Sequence, residues 1–233
     1  DIGVAFDGDG DRVSFVDEQG TVLTAEEATH TLLQGLGEQL HGSAFVNDVK
    51  LSDRIREAAA GMGAEPVTER SGHAFIRRTM ILRRAVFGAE ISGHYFYGDL
   101  QGGDDALYTA CRIIRHLADT AEPLSAHRLA CPGIHTTPDL RVRVSVADQQ
   151  SLLDEVRQGF CGHQLSEIDG IRVDFDNGWA LVRPSVTEAA LTVRFEGNSD
   201  TALREVAARF CDGLTRLGPR IRPLFDREDK TDG

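Results

Sequence analysis

Two hydrophobic periods alternate along the first half of the chain. Residues 2–6 and 13–16 are apolar or alternate with period two, which predicts a pair of strands. Thr24-Ala25-Glu26-Glu27 has the form of a capping box, and Ala28, Leu32, Leu33, Leu36 and Leu40 follow at helical spacing. A short strand at Ala44-Phe45-Val46 precedes a helix over about 52–62, stopped by Gly61 and Gly63. A strand at Pro66-Val67, a helix over about 72–82, a strand at Ala85-Val86-Phe87 and a helix over about 104–118 continue the series. Strands alternating with helices predict a layered α/β unit.

The periodicity stops over 132–138, where Pro132, Gly133 and Pro138 punctuate the chain. Beyond it Leu140, Val142, Val144 and Val146 alternate as an antiparallel strand, followed by a helix capped by Asp148 and running to about Phe160. Asp169-Gly170 and Asn177-Gly178 read as hairpin turns introducing strands over 171–175 and 179–182. A strand over 191–195 and a helix over about 200–217 follow, and the charged tail over 226–233 is expected to fray. The fold class expected is α/β, closing with a small α+β domain. Residues 1–22 end one domain, and 23–133 form a three-layer α/β domain with a mixed sheet. Residues 134–233 form a small α+β domain with a four-stranded antiparallel sheet and two helices.

Between the first two strands lies Asp7-Gly8-Asp9-Gly10-Asp11-Arg12. Three carboxylates at alternate positions repel one another, and a bound divalent cation removes that cost. The glycines let the backbone turn tightly enough for the oxygens to converge. An acidic surface turn explains one Asp-Gly but not the repeat. An EF-hand loop requires Gly at its sixth position, where Arg12 stands, and helices rather than strands on its flanks. Asp7, Asp9 and Asp11 therefore read as ligands of a hard metal, Mg²⁺ in preference to Ca²⁺, with room left for phosphate or water.

Composition bounds the partners. The 233 residues are 41% hydrophobic and 27% charged, with a formal net charge of −12. That balance argues against a nucleic-acid surface and leaves any anionic ligand to local cations. No apolar run is long enough to span a bilayer. Cys111, Cys131, Cys161 and Cys211 lack C-x-x-C spacing and read as buried thiols of a reducing, cytoplasmic setting. The chain opens at Asp1 inside an apparent strand, as expected of the carboxy-terminal piece of a longer protein.

Three further loops carry chemistry. Glu90, Ser92 and His94 alternate after an apolar strand and would present three hydrogen-bonding groups on one side of an extended segment, which suits a polyol. Arg183-Pro184-Ser185-Val186-Thr187 offers a guanidinium fork and two hydroxyls for phosphate, and Arg194 on the next strand adds a second cation. Lys50 ends one strand, and His73 opens a predicted helix after Ser71-Gly72.

Together and in this order, these loops resemble the α-D-phosphohexomutase superfamily, which includes phosphomannomutases and phosphoglucomutases. The resemblance implies Mg²⁺ ligation by Asp7, Asp9 and Asp11, with Arg12 close to a phosphoserine. It places Glu90, Ser92 and His94 on sugar hydroxyls, with Ala89 where the family has Gly and Ile91 as in the mannose/glucose mutases. Lys50 and His73 correspond to family residues near the reacting hydroxyls, His73 as a general acid/base. Arg183, Ser185 and Thr187 fall on the phosphate loop, with Val186 in place of Gly or Asn and Ala189 in place of Pro. The activity implied is interconversion of hexose 1- and 6-phosphates through a bisphosphate. The family's serine loop, the covalent phosphate carrier, has no counterpart in these 233 residues. The amino-terminal phosphoserine domain is thus the missing partner, and the chain alone is expected to be inactive. A free-standing phosphosugar-binding protein is the alternative reading. A phosphatase using an Asp nucleophile would need Asp-x-Asp followed by Thr or Val, which the loop lacks.

Overall fold

A computed structural model of the chain describes residues 1–185 and 188–228. Val186 and Thr187, the centre of the expected phosphate loop, lie outside the described residues, as do 229–233. The chain divides into two compact units, residues 1–133 and 134–233.

The first unit opens with strands β1 (Gly3–Phe6) and β2 (Val13–Val16), an antiparallel hairpin with the acidic turn at its tip. Helix α1 (Ala25–Leu36) begins at the capping box: Glu27 N–H donates to Thr24 Oγ1 and Thr24 N–H to the Glu27 carboxylate. Then come β3 (Ala44–Asp48), α2 (Asp53–Gly61), β4 (Glu65–Glu69), α3 (His73–Arg83), β5 (Phe87–Ala89), β6 (Tyr95–Tyr97), β7 (Gly103–Asp104), α4 (Ala106–Thr120) and α5 (Leu124–Leu129). The sheet order is β4-β3-β5-β6-β7, with β3 parallel to β4 and β5 and the β5-β6-β7 side antiparallel.

Period-two alternation sorts the sheet's two faces. Val46 and Phe96 pack with Ile76 and Met80 of α3. Phe45, Phe87, Tyr95 and Tyr97 stack on the opposite face, where the Tyr97 hydroxyl donates to Thr109 of α4. Gly88 is needed where it stands, since a Cβ there would lie 2.8 Å from Met80 Sδ and 3.1 Å from Val46 O. Because β3 connects to β4 on one side and the chain then returns to place β5 on the other, the loops after β3, β4 and β5 leave from one edge. This is the carboxyl edge, where open α/β sheets bind ligands.

The second unit contains β8 (His135–Thr136), β9 (Leu140–Arg143), α6 (Val146–Gly159), β10 (Gln164–Ser166), β11 (Ile171–Phe175), β12 (Gly178–Pro184), β13 (Ala190–Gly197), α7 (Asp200–Asp212) and α8 (Gly218–Glu228). Its antiparallel sheet runs β10-β11-β12-β13, and β8 and β9 share the outer edge of β13. One face buries Val173, Ala180, Val182, Val193 and Phe195 against Val156, Val206, Phe210 and Ile221. The sheet thus has six strands rather than four, and three helices rather than two. The strands that sequence periodicity missed are two or three residues long, too short to show a period. Strand β9 ends at Arg143, and Val146 is the exposed first residue of α6. The cap of α6 is Ser145, whose Oγ accepts the Asp148 N–H, so Asp148 is the third helical residue. Helix α8 continues through 226–228, where fraying was expected.

The four cysteines are free, as expected, but Cys111 and Cys161 are exposed on helical or turn surfaces rather than buried. Among the described residues, no helix is long and apolar enough to cross a membrane.

Candidate functional site

In the first unit, main-chain hydrogen bonds fix the acidic turn before any side chain is considered. Asp7 N–H donates to Arg12 O, closing the β1–β2 tip, and Gly10 turns with φ +78°. Ala106 N–H, at the start of α4, donates to Gly10 O, and Val13 N–H donates to Gly93 O. Arg12 and His94 form an antiparallel bridge. The acidic turn is therefore tied by backbone to the Glu90–His94 segment.

That segment is a chain reversal between β5 and β6, not the extended strand end expected. Glu90 and His94 exchange backbone contact through the Glu90 N–H to His94 O bond, and Gly93 N–H donates to Glu90 O. Gly93, at φ +90°, permits the turn. Folding back gathers the three polar groups more tightly than alternation would. Ser92 Oγ lies 2.8 Å from His94 Nδ1, and Glu90 Oε2 lies 3.4 Å from the same nitrogen.

Around the acidic turn, Asp7 Oδ1 accepts the N–H groups of Gly10 and Arg12, while Arg12 Nε donates to Asp7 Oδ2 at 2.7 Å. Desolvation works against ionisation of Asp7. The Arg12 side-chain and backbone hydrogen bonds outweigh it and hold the carboxyl well below the usual range. One oxygen from each of Asp7, Asp9 and Asp11 lies within 4.8 Å of the others. Asp11 Oδ1 is buried without a hydrogen-bond partner. An all-carboxylate set with an orphaned oxygen fits a hard divalent ion.

Lys50 follows β3 in a turn and His73 is the exposed first residue of α3, just after β4, so both leave from the same carboxyl edge as Glu90. Sequence reasoning missed Asp48 and Asp104 and the bond by which Glu90 organises these loops. Asp48, fully buried, accepts from Leu51 N–H at 3.1 Å and from Ser71 Oγ at 3.0 Å. Glu90 Oε1 accepts the Gly72 N–H at 2.7 Å. Asp104 on β7 faces His94. The Ser71-Gly72 and Asp48-Val49 neighbours of the candidate residues were visible in the sequence, but which partner each would meet was not.

In the second unit, Arg183 on β12 and Arg194 on β13 share the sheet face opposite the core, since Arg194 is registered with Leu181 and Arg183 with Thr192. Arg183 forms a buried ion pair with Asp169 at 2.9 Å. Arg194 donates to Thr136 Oγ1 at 3.2 Å and lies 3.9 Å from Asp139. Ser185 N–H donates to Ala190 O at the strand end, and Thr187 lies outside the described residues.

Comparison with known proteins converges on one family. Residues 18–132 match "Phosphoglucomutase/phosphomannomutase, alpha/beta/alpha domain III", and residues 140–213 match the C-terminal domain of the same family. A phosphomannomutase/phosphoglucomutase of Pseudomonas putida is 32% identical over 97% of this chain and 49% of its own length. A phosphoglucomutase of Neisseria meningitidis is 29% identical over 90% of the chain and 46% of its own length. A crystal structure of a phosphoglucomutase/phosphomannomutase family protein from Burkholderia thailandensis superposes with TM-score 0.80 at 30% identity. It covers 91% of this chain and 46% of that one. The N-acetylphosphoglucosamine mutase of Aspergillus fumigatus, in complex with GlcNAc-6P and magnesium, shares the fold at TM-score 0.63 and 16% identity. That match covers 91% of this chain and 52% of its own. The chain spans about half the length of the relatives it matches, and over that span it is similar in sequence and in fold to enzymes of one kind. With its acidic turn, its carboxyl-edge loops and both matched domains, the chain belongs to the phosphoglucomutase/phosphomannomutase family.

Proposed function

We propose that this chain is the carboxy-terminal part of a Mg²⁺-dependent phosphohexomutase interconverting glucose or mannose 1- and 6-phosphates through a bisphosphate. The observation that carries this reading is the bonding of the Asp7–Asp11 turn to the Glu90–His94 turn at the carboxyl edge of the sheet. That arrangement would put cation ligands and sugar-recognising groups on one rim. The magnesium in the Aspergillus fumigatus complex supports the same cation here.

Asp7, Asp9 and Asp11 would hold Mg²⁺, which when bound offsets charge on a transferring phosphoryl group. Arg12, steered by Asp7, would add a cation beside that group. Ser92 and His94 would accept and donate to ring hydroxyls, with Glu90 holding the turn and the start of α3 in place. Hydroxyl-rich contacts of this kind tolerate a hexose bound in two opposite orientations. Lys50 and His73 would face the reacting hydroxyls, His73 as acid or base. Arg183, Ser185, Thr187 and Arg194 would grip the phosphate that is not being transferred. The nucleophilic phosphoserine would come from an amino-terminal domain, and the setting expected is cytoplasmic.

A coupled assay with glucose 1-phosphate and mannose 1-phosphate tests the division of labour. The chain alone should give no turnover, and the parent containing a serine loop should be active and lose activity with Asp9→Asn. Turnover by the isolated chain would overturn the reading.

A further inference from the structure

Asp104 belongs to none of the motifs above, yet it completes a second cluster. It lies on β7, one residue before Asp105, the cap of α4. Asp104 Oδ2 stands 4.0 Å from His94 Nε2, and Asp11 Oδ1 stands 3.4 Å from the same nitrogen. Both carboxylate oxygens are buried and neither has a hydrogen-bond partner. The three ligand atoms lie within 4.8 Å of one another.

The far side of the imidazole supplies an independent argument. Nδ1 is engaged by Ser92 Oγ at 2.8 Å and flanked by Glu90 Oε2 at 3.4 Å. Glu90 is itself buried and pinned by the Gly72 N–H. A carboxylate held behind one ring nitrogen, with the other nitrogen aimed at converging oxygens, is how proteins orient a metal-binding histidine. Arg12 Nε stands 3.8 Å from Asp11 Oδ1, too far for a hydrogen bond, so a divalent cation between the two carboxylates would satisfy oxygens that no donor reaches.

We propose that Asp11, His94 and Asp104 form a second divalent-metal site, selective for Zn²⁺, with a fourth position open to water. One imidazole and two carboxylates suit zinc, whereas the all-carboxylate set of Asp7, Asp9 and Asp11 suits Mg²⁺. Asp11 belongs to both sets, so occupancy of one site alters affinity at the other. The site does not depend on the mutase reading, because its residues and their supports lie within the first unit and need no sugar.

The test is a Zn²⁺ titration of the metal-stripped chain, followed by the side-chain NMR signals of its histidines and by calorimetry. One equivalent of Zn²⁺ should shift the His94 ring signals first. Asp104→Asn and His94→Gln should each weaken binding at least tenfold, while Asp9→Asn should change it less than threefold. The His94 signals of the unaltered chain make the result independent of how any variant folds. Zinc that leaves those signals unmoved, or an affinity indifferent to Asp104→Asn but lost with Asp9→Asn, overturns the site.

Discussion

Glu90 Oε1 accepts the backbone N–H of Gly72 at 2.7 Å, joining the turn after β5 to the start of α3. Glu90 is buried, so truncation would strand that N–H away from water. Glu90→Ala should cost about 1–3 kcal/mol of unfolding free energy, the penalty for a buried donor left unmade. Glu90→Gln keeps an acceptor of the same shape and should retain most of the stability. Urea unfolding monitored by circular dichroism distinguishes the two.

Acid should loosen α5 early. Asp17 is buried; desolvation opposes its ionisation, but the Thr21 N–H, the Arg128 guanidinium and the Gln19 N–H outweigh it and lower its pKa. Glu18 is lowered by the Ser125 hydroxyl, which donates to it. Both carboxylates therefore tie α5 to the end of β2. Carboxyls whose folded pKa lies below the unfolded one contribute stability above the unfolded value and lose it as pH falls through the folded value. Protection factors over 124–129, exchange rates corrected for their intrinsic pH dependence, should be high above about pH 5 and fall progressively below the ordinary carboxylate range of about pH 4. Arg128→Met should move that transition to higher pH.

Gly93 should resist substitution. Its φ of +90° is left-handed, and a Cβ would lie 3.2 Å from Val13 O, beside the bond that ties the two turns together. Gly93→Ala should cost about 1–2 kcal/mol from backbone strain alone. It should also weaken Mg²⁺ and Zn²⁺ binding together, measurable by calorimetry on a variant that still melts cooperatively.

The thiols should separate into two kinetic classes. Burial pushes Cys131 up to about 12 and Cys211 up to about 11. At pH 8 their thiolate fractions are then on the order of 10⁻⁴ and 10⁻³. An aromatic disulfide reagent should label exposed Cys111 and Cys161 quickly and leave Cys131 and Cys211 until the chain is denatured. Four equivalents labelled at one rate in native buffer would contradict this.

What the sequence made legible was local. The Asp-Gly repeat announces its own turn, and Thr24 with Glu27 announces its helix, because each signal lies within a few residues. A short apolar run located β3, another at 85–87 fell just ahead of β5 and overlaps it only at Phe87, and period-two spacing found β9, β11 and β13. The same spacing misled at 90–94, where Gly93 reverses the chain and alternation stops describing direction. At the start of α6, Ser145 and Asp148 are equally good caps by type, and it is Ser145 whose Oγ accepts the Asp148 N–H, with Asp148 already inside the helix. Asp104 and Asp169 were invisible as site residues, since their meaning comes from His94 and Arg183, reached through sheet pairing rather than through the neighbouring sequence.

The bonds at Gly10, Val13 and Gly93 are made by main-chain atoms, which every residue but proline carries alike. A library varying the side chains at Arg12, Ser92 and His94 would therefore rewrite the chemistry of this rim while its loops kept their address. The scaffold separates where a group stands from what the group is, which makes it a natural starting point for re-engineered specificity.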